Sequence, residues 1–286
     1  MIVKEYRICM PMTVEEYRIG QLYMIARFSE EQSCKGSGVQ VVVNEPCYDE
    51  KHGKGQYTEK KIYLNGRLPA WLGSILPNIF YITEKAWNYY PFTITEYTCS
   101  FIPKFHVKIE TTYKDDNGKD ENALDLPEEI LSKREVFHLD IAYDQLPDKY
   151  YVKEEDCRYF HSKKTNRGPL AENWKESCKP IMCSYKVVSV SFSMWGFQQR
   201  VESFTHKNIR DVLVHGHRQA FAWIDEWINM TVDDVRDFER KAQDRTNEKL
   251  MQENTDIIEN ADNGTSKNGE SPPKACSTKK GSSTRV

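Results

Sequence analysis

From Val39 to Trp195 the chain is a succession of strand-length segments, and this constrains the fold more than any other feature. Val39–Val43, Tyr57–Leu64, Phe92–Phe101, Phe105–Tyr113, Val136–Tyr143 and Met182–Trp195 carry the β-branched and aromatic side chains that suit a pleated, half-buried surface. Phe105, Val107, Ile109, Thr111 and Tyr113 alternate cleanly. Only Ile102, Pro103 and Lys104 separate them from the preceding segment, which is the spacing of a hairpin. Phe137, Leu139, Ile141 and Tyr143 share one face of their segment, and Val188, Val190, Phe192 and Met194 share one face of theirs. A further strand opens the chain. Tyr6, Ile8 and Met10 face one way and Glu5, Arg7 and Cys9 the other, the pattern of a strand buried on one side.

Helices frame this run. Pro11 ends the first strand, and Thr13 with Glu16 three residues on forms a capping box, with Met12 and Tyr17 placed as a hydrophobic staple. Val14, Tyr17, Leu22 and Ile25 give that helix its apolar stripe to about Ser29. Ile209–Ile228 reads as an aromatic-rich helix. Thr231 caps another, with Asp233 and Asp234 at its positive end and Val232, Val235, Phe238 and Ala242 as its stripe. Strand, helix, a series of antiparallel strands and terminal helices define an α+β fold. One curved sheet wrapped round a long helix would enclose a cavity. From Gln252 the chain turns rich in Asn, Ser, Lys, Thr and Gly, too polar to offset its ordering entropy, so residues 1–251 are expected to form one domain and 252–286 a disordered tail.

Several functions are excluded or disfavoured. A net charge of −3 over 286 residues gives no strongly basic face for nucleic acid. No apolar run approaches the roughly 18 residues of a membrane span, and Met1–Glu5 lacks the apolar core of a secretory signal. The eight cysteines include no Cys-x-x-Cys pair, so reduced thiols in the cytosol are expected. His215 and His217 lie in a helical pattern, where i and i+2 diverge; packing histidines are expected, not a metal site. Asp225 and Glu226 are adjacent on a helix and read as surface carboxylates. Nucleophile elbow, P-loop and His-Glu-x-x-His motifs are all missing, which leaves an enzyme without support.

The segment Arg67–Phe80 is apolar and bracketed by Pro69 and Pro77, with Trp71, Leu72, Ile75 and Leu76 on one side of a short helix. It fits either a core helix or a mobile element touching a membrane, since tryptophan favours the interface. Met194-Trp195 is a second membrane candidate. Lys163, Lys164 and Arg167 fit a small patch for anionic lipid or a plain solvated loop.

The sequence resembles the phosphatidylinositol transfer protein family over about residues 1–250. The matching motifs are Lys4-Glu5-Tyr6-Arg7, Thr13-Val14-Glu15-Glu16-Tyr17, Gly20-Gln21-Leu22-Tyr23, Gly55-Gln56-Tyr57-Thr58, Glu84-Lys85-Ala86-Trp87-Asn88-Tyr89-Tyr90-Pro91, Arg167-Gly168-Pro169-Leu170, Asn173-Trp174 and His217-Arg218-Gln219 with Trp223. Pro11–Arg18, Tyr97-Thr98-Cys99 and Pro180-Ile181-Met182-Cys183 resemble the soluble retinal-degeneration-B-type branch, class II, in its short cytoplasmic form. The resemblance implies a START-like helix-grip fold enclosing one phospholipid, carried between membranes as cargo, with no cofactor and no covalent step. It implies a cytoplasmic monomer that touches membranes transiently.

By the same resemblance Thr58, Lys60, Asn88 and Glu239 hold the inositol headgroup, with Lys60 on the phosphate and the others on ring hydroxyls. Thr93 stands where founding members have a pocket cysteine. That weakens phosphatidylcholine as second cargo and leaves phosphatidylinositol with phosphatidic acid as the expectation. Trp71, Leu72 and Ile75 fall in the lipid-exchange element, and Met194-Trp195 at a membrane-docking tryptophan pair of which one member remains. The 147–180 loop resembles a regulatory loop in which Ser162 matches a phosphorylatable serine. The alternative is a lipid-presenting adaptor, with a protein partner for the tail around Ser271-Pro272-Pro273.

Overall fold

A computed structural model describes residues 1–32, 37–64, 81–99, 101–102, 104–193 and 196–265. Its strands are β1 (Ile2–Met10), β2 (Ser37–Asp49), β3 (Gly53–Leu64), β4 (Tyr81–Tyr89), β5 (Phe92–Thr98), β6 (Phe105–Lys114), β7 (Glu135–Leu139) and β8 (Met182–Phe192). Its helices are α1 (Val14–Gln32), α2 (Glu128–Leu131), α3 (Trp174–Ser177), α4 (Gln198–Ala222), α5 (Ile224–Trp227) and α6 (Val232–Thr265). The strands form one sheet in the order β2-β3-β4-β5-β6-β8-β1-β7. Neighbours are antiparallel except β1 and β7, which run parallel. Helices lie against this open sheet, which is an α+β architecture consistent with a START-like lipid-binding domain.

Local chemistry explains how α1 starts. Thr13 N–H donates to Glu16 Oε2 at 2.8 Å, and Glu16 N–H donates to Thr13 Oγ1 at 3.1 Å, the expected capping box. Asp115 caps the next amide, Val14 N–H, at 2.8 Å. Arg167 then donates to both oxygens of Glu16, at 2.8 and 3.0 Å, tying the 147–180 loop to the helix start. Met12 and Tyr17, the staple pair, are both buried. Gly20 is required by packing, because a Cβ there would sit 2.7 Å from Trp227 Cζ2. Burial of Tyr17, Phe221, Ile224 and Trp227 contributes about 1.5–3 kcal/mol per side chain.

The first strand departs from expectation. It is buried on both faces, not one. Tyr6 packs against His206 of α4 on one side. On the other, Glu5 lies between Arg7 (2.6 Å) and Arg134 (2.5 Å), with each of the three side chains at most 6% exposed. Arg7 also donates to Gly118 O at 3.0 Å. A polar face is therefore buried because the chain between β6 and β7 brings its own charge partner.

Val136–Tyr143 is also shorter as a strand than its alternation suggested. β7 stops at Leu139, where Asp140 turns the chain by accepting from Ala142 N–H at 2.9 Å. Val136 and Phe137 stay exposed at the sheet edge. The helix expected at Ile209–Ile228 starts earlier, at Gln198, and breaks at Trp223. The last helix runs to Thr265, past the change of composition at Gln252, since 252–263 contains neither Gly nor Pro to stop it. Residues 266–286 lie outside the described residues.

Candidate functional site

Sheet register places the expected binding residues. Gln56 faces Asn88, Asn88 faces Thr93, Thr93 faces Thr111, and Thr111 faces Lys186. Directly paired residues share a sheet face, so this row crosses five strands on one side. Thr58 and Lys60 lie two and four positions from Gln56 and therefore share that side. It is the side that α1 and α6 cover. Thr58, Lys60 and Glu239 line one cavity there, with Ile25, Ala26 and Ser29 of α1 and Ala242, Gln243 and Thr246 of α6. Its volume is about 30 Å³, room for a few water molecules at most.

Within this cavity the charges have local partners. Lys60 Nζ lies 3.6 Å from Glu84 Oε1, its cross-strand neighbour, and both side chains are 14% exposed. Glu239 accepts from Arg236 at 2.6 Å, one helical turn away. Asn88 is not in the lining. It lies on the same face, one diagonal from Thr58, and its Oδ1 accepts from Tyr90 N–H at 3.1 Å. Gly55, within β3 and at the start of the motif Gly55–Thr58, lets β4 approach. A Cβ there would lie 2.7 Å from Asn88 O. Thr93 is buried between Asn88 and Thr111 in the row.

The residue that sequence reasoning missed is Lys186. It is the one charged residue of β8, and that isolation was the available signal. Lys186 is buried, and Nζ donates to Thr111 Oγ1 at 3.4 Å and lies 5.2 Å from the Tyr113 ring centre. Among the described residues no carboxylate pairs with it. Burial pushes its pKa down from 10.5 to about 7. Around it three buried polar atoms make no hydrogen bond: Gln21 Oε1, Tyr113 Oη and His217 Nε2. His217 Nδ1 donates to Leu213 O at 2.7 Å, and burial with the nearby Lys186 charge holds the ring neutral down to about pH 3. Tyr17 stacks on His217 and packs against Tyr113, closing the cluster. A buried cation beside unsatisfied polar groups is costly, each orphan roughly 1–3 kcal/mol. An anion with several acceptor oxygens offsets the cost of the Lys186 charge and accepts from the Tyr113 hydroxyl, whereas Gln21 Oε1 and His217 Nε2 are acceptors and call for a donor.

His215 and His217 are thus packing residues within the core side of α4, as the sequence suggested. Asp225 is not the plain surface carboxylate expected. It accepts from Ser162 Oγ, Lys163 N–H (2.9 Å) and Lys164 N–H (3.1 Å). Burial works against its charge, but these donors hold its carboxyl below the usual range. Ser162 is fully buried, and its Oγ also accepts from Thr165 N–H at 3.0 Å. Glu226 is likewise engaged, by Tyr23 and Arg27. Of the small basic patch, Arg167 is taken up by Glu16, leaving Lys163 and Lys164 exposed. Trp71, Leu72, Ile75, Met194 and Trp195 lie outside the described residues. Among the described residues no helix is long and apolar enough to cross a membrane.

This sheet, with a polar row and helices closing a cavity over it, defines a lipid-binding class of α+β domain. A sequence model described as phosphatidylinositol transfer protein matches residues 1–244, and the chain belongs to that family. It is 62% identical over 250 residues to cytoplasmic phosphatidylinositol transfer protein 1 of Drosophila melanogaster, covering 87% of this chain and 92% of that one. The protein of the same name from Homo sapiens is 58% identical, covering 87% and 75%. Protein retinal degeneration B of Drosophila melanogaster is 46% identical over 260 residues, 85% of this chain but 21% of its own. The chain thus falls with the short relatives of the retinal-degeneration-B-type branch.

Proposed function

We propose that this protein holds one phosphatidylinositol in the cavity between sheet and helices and carries it between membranes, without a covalent step. The observation that carries the reading is Lys186, a buried cation with no carboxylate partner among the described residues, on the same sheet face as Thr58 and Lys60, with Glu239 brought over that face by α6. Lys186, Thr111 and Tyr113 supply donors to the lipid phosphate, and Gln21 completes that pocket from α1. This reassigns the phosphate, since Lys60 has Glu84 as partner. Thr58, Lys60, Asn88 and Glu239 take the ring hydroxyls. Buried polar groups arranged for hydroxyls reject a lipid that lacks them.

Phosphatidic acid is the second cargo in this reading. Its headgroup is the phosphate alone, whereas the trimethylammonium of phosphatidylcholine would be repelled by Lys186. In this reading the protein is a monomer, and it works in the cytoplasm, as the names of its short relatives say of them. It touches membranes through Trp71, Leu72, Ile75 and Met194-Trp195.

The test is transfer of labelled phosphatidylinositol between vesicles, with mass spectrometry of the lipids retained. Wild type is expected to carry phosphatidylinositol and phosphatidic acid. Lys60→Ala with Asn88→Ala should lose inositol-lipid transfer and keep phosphatidic acid. Intact inositol-lipid transfer by that folded double variant would overturn the site.

A further inference from the structure

The cavity holds about 30 Å³, too little for an inositol ring, and α6 forms one of its walls. The start of α6 is firmly held. Thr231 and Asp234 cap each other, Val235 is fully buried, and Phe238 stacks on Tyr23 with ring centres 4.6 Å apart. The next two turns, Glu239 to Thr246, are the part that lines the cavity. They are tied to α1 by a different device. Arg245 donates Nε and Nη2 to the two carboxylate oxygens of Glu30, each at 2.8 Å.

This pair joins residues 215 positions apart, and its side chains are 46% and 24% exposed. Glu30 sits in the last turn of α1, where the backbone carbonyls already concentrate negative charge. That turn also carries Glu31 and has no basic residue. Arg245 therefore compensates a carboxylate and a helix end together. We infer that Glu30 and Arg245 form a latch that holds α6 over the headgroup cavity, and that an anionic lipid surface opens it by offering phosphate oxygens to Arg245. The inference rests on the transfer reading above.

The chemistry of the exchange is symmetrical. A guanidinium binds phosphate with the same two-pronged geometry as carboxylate. Half of the Arg245 side chain already meets solvent, so the exchange needs no buried charge. An exposed ion pair contributes up to about 1 kcal/mol, so its loss shifts the open population about two- to fivefold.

The variants are Glu30→Arg, Arg245→Glu and the two combined, each checked for a wild-type circular dichroism spectrum. Two readouts are independent. Hydrogen exchange of amides 239–246, without vesicles, is expected to quicken in each single variant and to return toward wild type in the combined one. Phosphatidylinositol transfer to neutral phosphatidylcholine vesicles should rise about two- to fivefold in the single variants and be restored in the combined one. Adding phosphatidylserine to the vesicles should accelerate wild type and leave Arg245→Glu unaccelerated. Unchanged exchange in the single variants, or a combined variant as open as they are, overturns the latch. Equal acceleration of wild type and Arg245→Glu by phosphatidylserine overturns the trigger. If wild type moves no phosphatidylinositol while the exchange pattern holds, the transfer reading fails and the latch stands.

Discussion

Replacing Lys186 by Met tests whether the buried cation exists to meet an anion. Met keeps most of the side-chain volume and removes the charge. Folding carries this amine from a pKa of 10.5 to about 7 in the lipid-free protein. At 1.36 kcal/mol per pH unit, that is roughly 4–5 kcal/mol of destabilisation below pH 7. The sign follows from proton counting. Between about pH 7 and 10.5 the unfolded chain binds the proton and the folded chain does not, so stability rises with pH across that window.

Urea unfolding of lipid-stripped protein at pH 7 and pH 9 reads this directly. Wild type should gain up to roughly 2–3 kcal/mol over those two pH units, and Lys186→Met should lack that gain and be the more stable at pH 7. Phosphatidylinositol binding reverses the relation, because a phosphate beside Lys186 holds the proton on. Binding by wild type should therefore weaken as pH rises above about 7, and binding by Lys186→Met should be lost. The same pH slope in both proteins, or undiminished transfer by Lys186→Met, would refute the argument.

Gly55→Ala places a methyl 2.4 Å from Tyr89 Cδ1 and 2.7 Å from Asn88 O. Overpacking there should cost about 1–3 kcal/mol, read as a lower Tm, and displace Asn88 enough to weaken phosphatidylinositol over phosphatidic acid. Arg134→Met leaves the buried Glu5 with Arg7 alone, and urea unfolding should show a loss of roughly 3 kcal/mol. Ser162→Asp sets a second carboxylate against Asp225, which now receives the Ser162 hydroxyl. Trypsin should then cut faster after Lys163 and Lys164, whereas Ser162→Ala, which adds no charge, should change cleavage less. Equal cleavage of the two variants would show that charge repulsion is not the operative force.

What could be read from the sequence was what neighbours in sequence decide. The Thr13–Glu16 box closes over three residues, so the residue types alone announce it. Thr58 and Lys60 share a face because strands alternate, and the same rule separated core from solvent on β6. The second buried face of β1 was not legible, because Glu5 and Arg7 look solvated until Arg134 arrives from the far side of β6. Asp225 misled for the same reason, since Ser162 and the amides of Lys163 and Lys164 come from a separate loop.

Lys186 shows where the boundary falls. Its isolation among Val187, Val188 and Val190 is visible in the sequence, and by itself it could mean a side chain that reaches solvent at a sheet edge. The meaning comes from register. β8 lies between β6 and β1, so Lys186 has Thr111 on one side and Tyr6 on the other, and no edge to escape by. Helices α1 and α4 then bring Tyr17 and His217 over it, aromatic and neutral, neither able to balance the charge. The carboxylates that could have done so are spent elsewhere: Glu84 on Lys60, Glu239 on Arg236, Glu16 on Arg167. The sheet thus places under α1 and α4 a buried cation that has no carboxylate partner among the described residues, and a phosphate bound beside it would tie loading of the protein to the stability of the fold.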